Sequence, residues 1–445
     1  MKLVSIRPSP RLLKISAFVL LVAAVMPFFD ILAQTNFWQF MPYVGLAAII
    51  VSASLDAIMS KKPPRVTINR ELPDILSLYQ KASIRLQLIN ESNEEISLQW
   101  IEKLPNDWHC EPYEPDTHLG PNEKQHHQYL ITPNMRGLAN IEGTYLRVVS
   151  FLSLWQICWI VNYSTSHKVY PNFAAISDLT GLNGSVNLQQ MGLKKFNMRG
   201  AGMDFLQLRD YREGESLRQI DWRASSRFNK LISKEFQEEK NQHIMIMLDA
   251  GRRMRVQDDE LSYFEHSLNA LIMLSFTALK NGDNLSIQSF GSESRWLNQV
   301  RGAKNVSRVM HHFYDLYPEK IASDYVGAAQ ELMTKHPKRS LVLLVTCLRD
   351  EDFDDLLVSV KLLQEKHLVV IISIQEPIYN SILSAPVEKF ADALDYASAT
   401  ILQRNIEINI KRLKHQGVIC IQTKAPLLSA SLINSYLSIK KAGLL

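Results

Sequence analysis

The sequence predicts a transmembrane helical hairpin, then a small β-sandwich-like domain, then an α/β domain whose parallel sheet carries helices on both faces. Three observations predict this fold: two uncharged apolar stretches near the start, alternating apolar and polar residues after them, and short continuous apolar runs separated by helical patterns from residue 244 onward. The predicted boundaries are 1–62 for the hairpin, 63–171 for the β-rich domain, 172–243 for a linker and a charged segment, and 244–445 for the α/β domain.

The hairpin prediction rests on charge and length. Residues 15–29 carry no charge, and Lys14 can extend its side chain toward the interface, so the first span reaches about twenty residues. A second uncharged stretch covers 33–55 and has aromatic residues gathered at one end. Basic residues flank both stretches, which predicts that both termini face the cytoplasm. A cleaved signal peptide is the alternative interpretation.

Residues 66 to about 171 have the period-two pattern of half-buried strands, as in "ASIRLQLIN", "EISLQW", "HQYLITP" and "TYLRVVSF". Strands at this spacing are typical of a small β-sandwich. The apolar run "FLSLWQICWIV" at 151–161 is too short to cross a membrane, so we expect a buried strand there.

The last part of the chain alternates strands and helices. The runs "HIMIMLD", "NLSIQSF", "SLVLLVT", "LVVIISI" and "GVICIQT" lack alternation, as strands buried on both faces do. Ligands of such sheets bind at the carboxyl ends of the strands. Asp249, at the end of the first of these strands, is therefore the first candidate site residue.

Composition and motifs argue against several classes of function. The chain has 445 residues, and its formal charge of +4 comes from 49 basic and 45 acidic residues, so no nucleic-acid partner is expected. The four cysteines are far apart and form no metal-binding or disulfide pattern. No catalytic motif is present, and we expect a protein that is not an enzyme.

The charged segment "RDYREGESLRQIDWRASSRFNKLISKEF" (209–236) mixes both signs of charge. We expect its charged residues to pair with one another, with Trp222 buried in the core. An anion or nucleotide site built from the same arginines is the alternative.

Together with "RGAGMDF" before it and "MIMLDAGRRM" after it, this segment resembles the signature of the bacterial domain-of-unknown-function family 58. The resemblance covers nearly the whole chain. Glu215 stands where the family usually has Asp, and the residues that fall on matching positions are Arg209, Tyr211, Gly214, Arg218, Asp221, Trp222 and Arg223.

The resemblance implies a von Willebrand factor A-like domain, a fold that can carry a metal-ion-dependent adhesion site with a D-x-S-x-S loop. This chain keeps Asp249 but has Gly251 and Arg253 in place of the two hydroxyl residues, and Cys347 follows Thr346 where a later carboxylate is expected. We therefore expect a degenerate site without a cofactor, in which Asp249 caps the strand end or pairs with a neighbouring arginine. The alternative is a Mg²⁺ site that draws further oxygens from Thr346, Ser323, Asp324 and Asp350.

The resemblance also implies a partner, a MoxR-type AAA+ ATPase, and a role in the assembly or maturation of other proteins. Combined with the predicted hairpin, it gives a non-enzymatic interaction module anchored in the bacterial inner membrane and facing the cytoplasm. The alternative function is a metal-binding, small-ligand-binding or hydrolytic α/β protein that acts near Asp249.

Overall fold

The computed structural model describes residues 1–33, 41–73, 75–113, 115–172, 204–212, 217–237, 241–291 and 293–444. The chain divides into two compact units, Met1–Tyr170 and Pro171–Leu445. Both α-helices and several separate β-sheets are present.

The first unit contains two sheets and two helices. One sheet has the order β1-β10-β9-β5-β7, with β3 also paired to β10, and the other has the order β2-β4-β8-β6. The helices are α1 (Pro10–Ala33) and α2 (Met41–Met59). The strands are β1 (Lys2–Pro8), β2 (Val66–Glu71), β3 (Leu76–Ser77), β4 (Ala82–Asn90), β5 (Ile96–Lys103), β6 (Trp108–Cys110), β7 (Asp116–Leu119), β8 (Lys124–Pro133), β9 (Gly137–Val149) and β10 (Trp155–Tyr170).

One apolar core joins these two sheets. Leu86 and Leu88 of β4 lie in the same cluster as Trp100 of β5 and Leu146 of β9. Burial alternates along β4, as it must when only one face of a strand is covered. The alternating pattern of the sequence thus marks which face of each strand is turned inward.

A buried ion pair lies within this unit. Arg70 Nη2 is 2.5 Å from Glu102 Oε2, and both side chains are fully buried. The Thr144 hydroxyl donates to Glu102 Oε1 at 2.5 Å, and the Arg70 guanidinium lies 4.4 Å from the centre of the Tyr163 ring. Burial raises the pKa of Glu102, and the charge of Arg70 opposes that shift.

The predicted transmembrane hairpin is wrong. Within the described residues, no helix is both long enough and apolar enough to cross a membrane. Within the described part of each helix, the uncharged residues are 15–29 in α1, before Asp30, and 41–55 in α2, before Asp56, and each stretch is shorter than the roughly 20 residues that a bilayer core requires. The predicted location in the inner membrane, with two spanning helices, is corrected for the same reason.

The residues around the two helices belong instead to the β-rich unit. Residues 2–8, interpreted from the sequence as a basic flank, form β1 and pair antiparallel with β10. Asp56 of α2 is buried and accepts hydrogen bonds from the Ser150 hydroxyl at 2.5 Å and from the Leu152 N–H at 2.9 Å. The Trp155 indole N–H donates to the Ala53 carbonyl at 2.8 Å, so the end of α2 is held against the β9–β10 turn. That turn also corrects the predicted strand at 151–161, since Phe151 is 82% exposed and β10 begins only at Trp155.

The second unit is built on a six-stranded sheet of order β17-β16-β13-β18-β19-β20. Its strands are β13 (His243–Asp249), β16 (Asn284–Phe290), β17 (Trp296–Arg301), β18 (Leu341–Thr346), β19 (Leu368–Gln375) and β20 (Ile419–Lys424). All neighbouring pairs are parallel except β16 and β17, which are antiparallel. Two small two-stranded sheets pair β11 (Asp204–Asp210) with β12 (Ile232–Gln237) and β14 (Gln257–Asp258) with β15 (Leu261–Ser262).

Helices cover both faces of the six-stranded sheet. Ile244, Ile246 and Leu248 of β13 belong to one apolar cluster, while Met245 and Met247 belong to another. The first cluster includes side chains of α4 (Tyr263–Lys280), α5 (Val306–Phe313) and α10 (Leu428–Lys441), and the second includes those of α6 (Tyr325–Lys335), α7 (Phe353–Gln364), α8 (Pro377–Ser384) and α9 (Phe390–His415). Because both faces are covered, these strands read as continuous apolar runs.

Three histidines lie at the amino-terminal edge of this sheet. The ring centres of His243 and His336 are 5.6 Å apart, and those of His336 and His367 are 6.2 Å apart. His367 Nδ1 lies 2.9 Å from the Ser340 hydroxyl. Burial lowers the pKa of His367 to about 4, helped by the charges of His336 and Lys366; burial also lowers the pKa of His336 and of His243.

This cluster predicts a loss of stability in mild acid. A histidine whose pKa is lowered by folding stabilises the folded state fully above its unfolded pKa of 6.5, and that contribution is lost as the pH falls toward about 4. Lys338 and Arg301 add positive charge near His243, and Asp283 opposes them. Urea unfolding at a series of pH values should show a steeper fall in this window for the wild type than for His367→Gln. Equal slopes would contradict the prediction.

Candidate functional site

The candidate site lies at the carboxyl ends of β13 and β18. Strand β13 has β16 on one side and β18 on the other, and the chain reaches β16 first and returns to β18 later. The edge between β13 and β18 is therefore a topological switch point, where open α/β sheets bind ligands. Asp249 ends β13 and Thr346 ends β18.

Asp249 is fully buried, and hydroxyl groups surround its carboxylate. Oδ1 accepts from the Ser323 hydroxyl at 2.5 Å and from the Gly251 N–H at 2.8 Å. Oδ2 accepts from the Thr346 hydroxyl at 2.6 Å and lies 3.2 Å from the Tyr325 hydroxyl. The Tyr325 and Thr346 hydroxyls are 2.7 Å apart and bonded to each other. We call Asp249, Ser323, Tyr325 and Thr346 the hydroxyl cluster.

Burial raises the pKa of Asp249, and the hydrogen bonds from Ser323, Thr346, Gly251 and Tyr325 oppose the shift. Both carboxylate oxygens already have two donors within hydrogen-bond distance, so neither faces an open coordination position. The cluster thus joins three loops that are remote in sequence.

Asp249 accepts from the Gly251 N–H just after the strand, as the expected cap would, but the alternative pairing of Asp249 with a neighbouring arginine is wrong. Arg252 and Arg253 contact acidic residues that follow β18: Arg252 Nη2 lies 3.2 Å and Arg253 Nη2 lies 2.8 Å from Glu351 Oε2. Arg253 Nη2 is also 2.8 Å from Asp352 Oδ2. Asp249 is too deeply buried to take part, because its oxygens are enclosed by the hydroxyl cluster.

Gly251 occupies a position that has no room for a side chain. A Cβ at Gly251 would lie 2.1 Å from Ser323 Oγ, and a Cβ at Gly291, where φ is +87°, would lie 2.7 Å from the Gly251 nitrogen. The hydroxyl that an adhesion-type loop would have at position 251 is therefore replaced in space by Ser323, which comes from another loop.

Gly251→Ala should destabilise the protein by about 1–3 kcal/mol, because the new methyl group displaces the Ser323 hydroxyl from Asp249. In a Ser323→Ala background the same substitution should cost clearly less. A double-mutant cycle measured by urea unfolding checks this coupling. Additive single effects would show that the two residues do not compete for one space.

Cys347 and Glu376 extend the polar groups along the sheet edge. The Cys347 thiol lies 3.3 Å from Glu376 Oε1, and Arg349 Nη2 lies 2.5 Å from Glu376 Oε2. Burial, with the nearby charge of Glu376, raises the pKa of Cys347 well above its ordinary value, so the thiol is protonated. The adjoining cavity has a volume of about 20 Å³, space for a single water, and is lined by Leu348, Ile374, Gln375, Glu376, Tyr379, Asn380, Gln403, Ile406, Glu407 and Gln422.

The described residues contain no group of three or more His, Cys, Asp or Glu side chains placed to hold a metal ion. Of the oxygens suggested for a Mg²⁺ site, Ser323 and Thr346 donate to Asp249. Asp324 caps α6 by accepting from the Gly327 N–H at 2.8 Å, and Asp350 accepts from Asn409 at 2.9 Å and from Asn405 at 3.2 Å. The sequence indicated these residues individually but gave no sign of Tyr325 or Glu351, whose roles depend on contacts between distant loops.

The charged segment forms a separate element, the signature hairpin, which consists of β11, β12 and the described residues between them. These include a short 3-10 turn (Leu217–Gln219) and helix α3 (Trp222–Phe228). The Asp221 carboxylate caps α3 by accepting from the Arg223 and Ala224 N–H groups, each at 3.0 Å. These backbone bonds, with Ala224 the larger contributor, lower the pKa of Asp221, and Lys234 contacts the same carboxylate at 3.3 Å.

The expected burial of Trp222 is wrong, since its side chain is 66% exposed. Capping by Asp221 places Trp222 at the first position of α3, and Ser225 is the buried residue of that helix. Arg223 is also exposed, and Arg209 and Tyr211 are partly buried. Gly214 and Glu215 lie outside the described residues, as does the side chain of Arg218.

Residues 207–407 match the family model described as "Protein of unknown function DUF58". This DUF58 match begins in the signature hairpin, ends within α9, and covers slightly less than half of the chain. It supports the resemblance inferred from the charged segment.

Among curated proteins, the uncharacterized protein YeaD of Bacillus subtilis (strain 168) is 24% identical over 105 residues. The alignment covers 24% of this chain and 24% of YeaD, so the chain matches about a quarter of its relative's length.

Among solved structures, the ASH/PapD-like domain of human CEP192 aligns with a TM-score of 0.18 at 12% identity, over 24% of this chain and 89% of that one. The FixG-related protein from Vibrio parahaemolyticus aligns with a TM-score of 0.19 at 8% identity, over 24% of this chain and 98% of that one. At these TM-scores neither likeness carries an argument about fold or function.

Proposed function

We propose that this DUF58 protein is a non-enzymatic interaction module that binds a protein partner through its signature hairpin. The observation that carries the proposal is the exposure of large apolar side chains in this one short element: Leu208 (42%), Leu217 (68%), Trp222 (66%), Phe228 (56%) and Leu231 (49%). Exposed apolar groups collected in one place mark interaction sites, and tryptophan is enriched among residues that dominate binding energy.

The hairpin is ordered without burying these groups. Lys230 pairs with Asp210 at 2.7 Å, and the Ser225 hydroxyl accepts from the Ile232 N–H at 2.9 Å. Since polar contacts and strand pairing hold the element together, its apolar side chains remain available to a partner. Binding would then require little rearrangement of the hairpin.

The family resemblance suggests that the partner is a MoxR-type AAA+ ATPase and that the pair acts in the assembly or maturation of other proteins. We further infer a von Willebrand factor A-like fold for the second unit. Its sheet of five parallel strands and one antiparallel edge strand, covered by helices on both faces, supports this inference.

The test compares affinity-tagged full-length protein with a Trp222→Ala/Phe228→Ala variant, both recovered from a bacterial host that encodes a MoxR-type ATPase. Mass spectrometry should detect the ATPase with the wild type and little of it with the variant. Phe390→Ala is the matched control, because Phe390 is 86% exposed but lies outside the hairpin. If the wild type retains no AAA+ ATPase, the proposed identity of the partner is wrong. If the hairpin variant retains as much ATPase as the wild type, the signature hairpin is not the binding surface.

The alternative, a metal-binding or hydrolytic site at Asp249, is ranked lower because donors surround both carboxylate oxygens. Calorimetry with Mg²⁺, Mn²⁺ and nucleotides tests it directly. Binding that Asp249→Asn abolishes would favour this alternative over the interaction module.

A further inference from the structure

A pair of arginines with an exposed acidic partner lies at the switch point, apart from the signature hairpin. Arg252 and Arg253 belong to the 3-10 turn after β13 (Arg252–Arg255), and Glu351 belongs to the 3-10 turn after β18 (Asp350–Asp352). One oxygen, Glu351 Oε2, lies within 3.2 Å of both guanidinium groups. We call Arg252, Arg253 and Glu351 the arginine edge.

The three side chains differ in exposure. Arg253 is only 11% exposed, Arg252 is 50% exposed, and Glu351 is 73% exposed. Arg253 is held in place by Asp352, whose side chain is 20% exposed. Glu351 therefore pairs with a fixed cation from the solvent side, where ion pairs contribute little to stability.

Arg253 also has unused donor capacity. Its Nη2 contacts both Glu351 and Asp352, whereas its Nη1 is buried and has no hydrogen-bond partner among the described residues. A guanidinium binds a carboxylate best through two parallel N–H···O bonds. Glu351, which meets Arg253 through one nitrogen, leaves that two-point contact unmade.

We propose that the arginine edge binds an acidic side chain of a partner protein and that Glu351 is its internal competitor. The incoming carboxylate replaces Glu351 on Arg252 and Arg253 and, once Glu351 no longer covers Arg253, bonds to Nη1 as well as Nη2. Glu351 stays nearby and keeps its negative charge, so the two-point contact supplies the gain in binding. The exposure of Arg252 and Glu351 describes an open surface, which fits a side chain presented by a protein better than a small carboxylate that needs an enclosing pocket.

The test uses a fluorescein-labelled hexaglutamate peptide and full-length protein, with binding followed by fluorescence anisotropy at low salt. Glu351→Gln should bind the peptide about twofold to fivefold more tightly than the wild type, as removal of a weak exposed ion pair implies. Arg253→Met should lose at least about tenfold in affinity, and Arg253→Lys should fall between, since a lysine keeps the charge without the planar fork.

Matched controls distinguish binding of the peptide at the arginine edge from nonspecific electrostatic attraction. Glu365→Gln removes an exposed carboxylate and Arg301→Met an exposed guanidinium at the opposite, amino-terminal edge of the sheet, and both should bind like the wild type. The proposal is overturned if Glu351→Gln binds no better than Glu365→Gln, or if Arg253→Met binds as well as Arg301→Met. If free glutamate at equal carboxylate concentration displaces the peptide, the site binds a small carboxylate, and the proposal that a partner protein supplies the carboxylate is wrong. These outcomes do not depend on whether an AAA+ ATPase is retained in the experiment on the hairpin.

Discussion

Asp249→Ala is expected to destabilise the second unit by about 3–5 kcal/mol. The substitution removes the acceptor of the Ser323 and Thr346 hydroxyls and of the Gly251 N–H, all in the buried interior, and leaves a cavity in their midst. Buried donors without an acceptor lose the hydrogen bonds that they make with water in the unfolded state. Urea unfolding of the full chain, followed by circular dichroism, measures the change.

Asp249→Asn is the matched control. Its amide oxygen keeps the bonds from Ser323 and Gly251, and its amide nitrogen faces the Tyr325 and Thr346 oxygens, which can rotate to accept. We expect it to cost less than half as much as the alanine substitution. Similar losses for the two variants would mean that the charge of Asp249, rather than its hydrogen bonds, stabilises the cluster.

Lys440→Met is expected to cost a similar amount, about 3–5 kcal/mol. Lys440 Nζ lies 2.7 Å from Asp283 Oδ2, and the two side chains are 2% and 0% exposed. The same oxygen accepts from the Tyr436 hydroxyl at 2.7 Å. Loss of the ammonium group leaves a buried carboxylate with hydrogen bonds but no counter-charge.

The double variant Lys440→Met/Asp283→Asn should recover much of this stability, because a neutral amide needs no cation. Lys411→Met, on the exposed side of α9, serves as the control and should change stability by less than about 0.5 kcal/mol. A Lys440→Met variant as stable as this control would refute the importance of the buried pair.

In the sheet of the second unit, the sequence predicted the strands whose two faces are both buried. Each continuous apolar run that predicted a strand lies in one of the strands β13, β16, β18, β19 and β20. The antiparallel edge strand β17 escaped prediction, because "WLNQVR" carries exposed polar residues on one side. Because β17 is covered on one side only, it lacks the continuous apolar run that made the other strands recognisable.

The first unit shows a different limit. Hydrophobicity alone suggested a membrane hairpin. Asp56 of α2, however, is buried by contacts with residues 94–98 positions later in the chain. In the same way, β1 is defined by its pairing with β10. Local patterns do not contain such long-range pairings.

The candidate site was predicted in location but not in chemistry. The position of Asp249 follows from its place at the end of a strand. Its partners Ser323 and Thr346 come from 74 and 97 residues away, and the sequence offered them only as possible metal ligands, not as donors to the carboxylate itself. Trp222 was expected inside, beneath the paired charges of the segment, but it is 66% exposed at the first position of α3, which Asp221 caps.

The hydroxyl cluster has an implication for how this sheet edge can diverge among related chains. One carboxylate serves donors from three loops, and one of those donors occupies the space beside a glycine of another loop. A serine gained at position 251 is therefore compatible only with a smaller residue at 323, and a carboxylate gained at 346 would repel Asp249 unless a cation came between them. Building a cation pocket at this edge would thus require several coordinated replacements, and each replacement made alone would give a less stable protein.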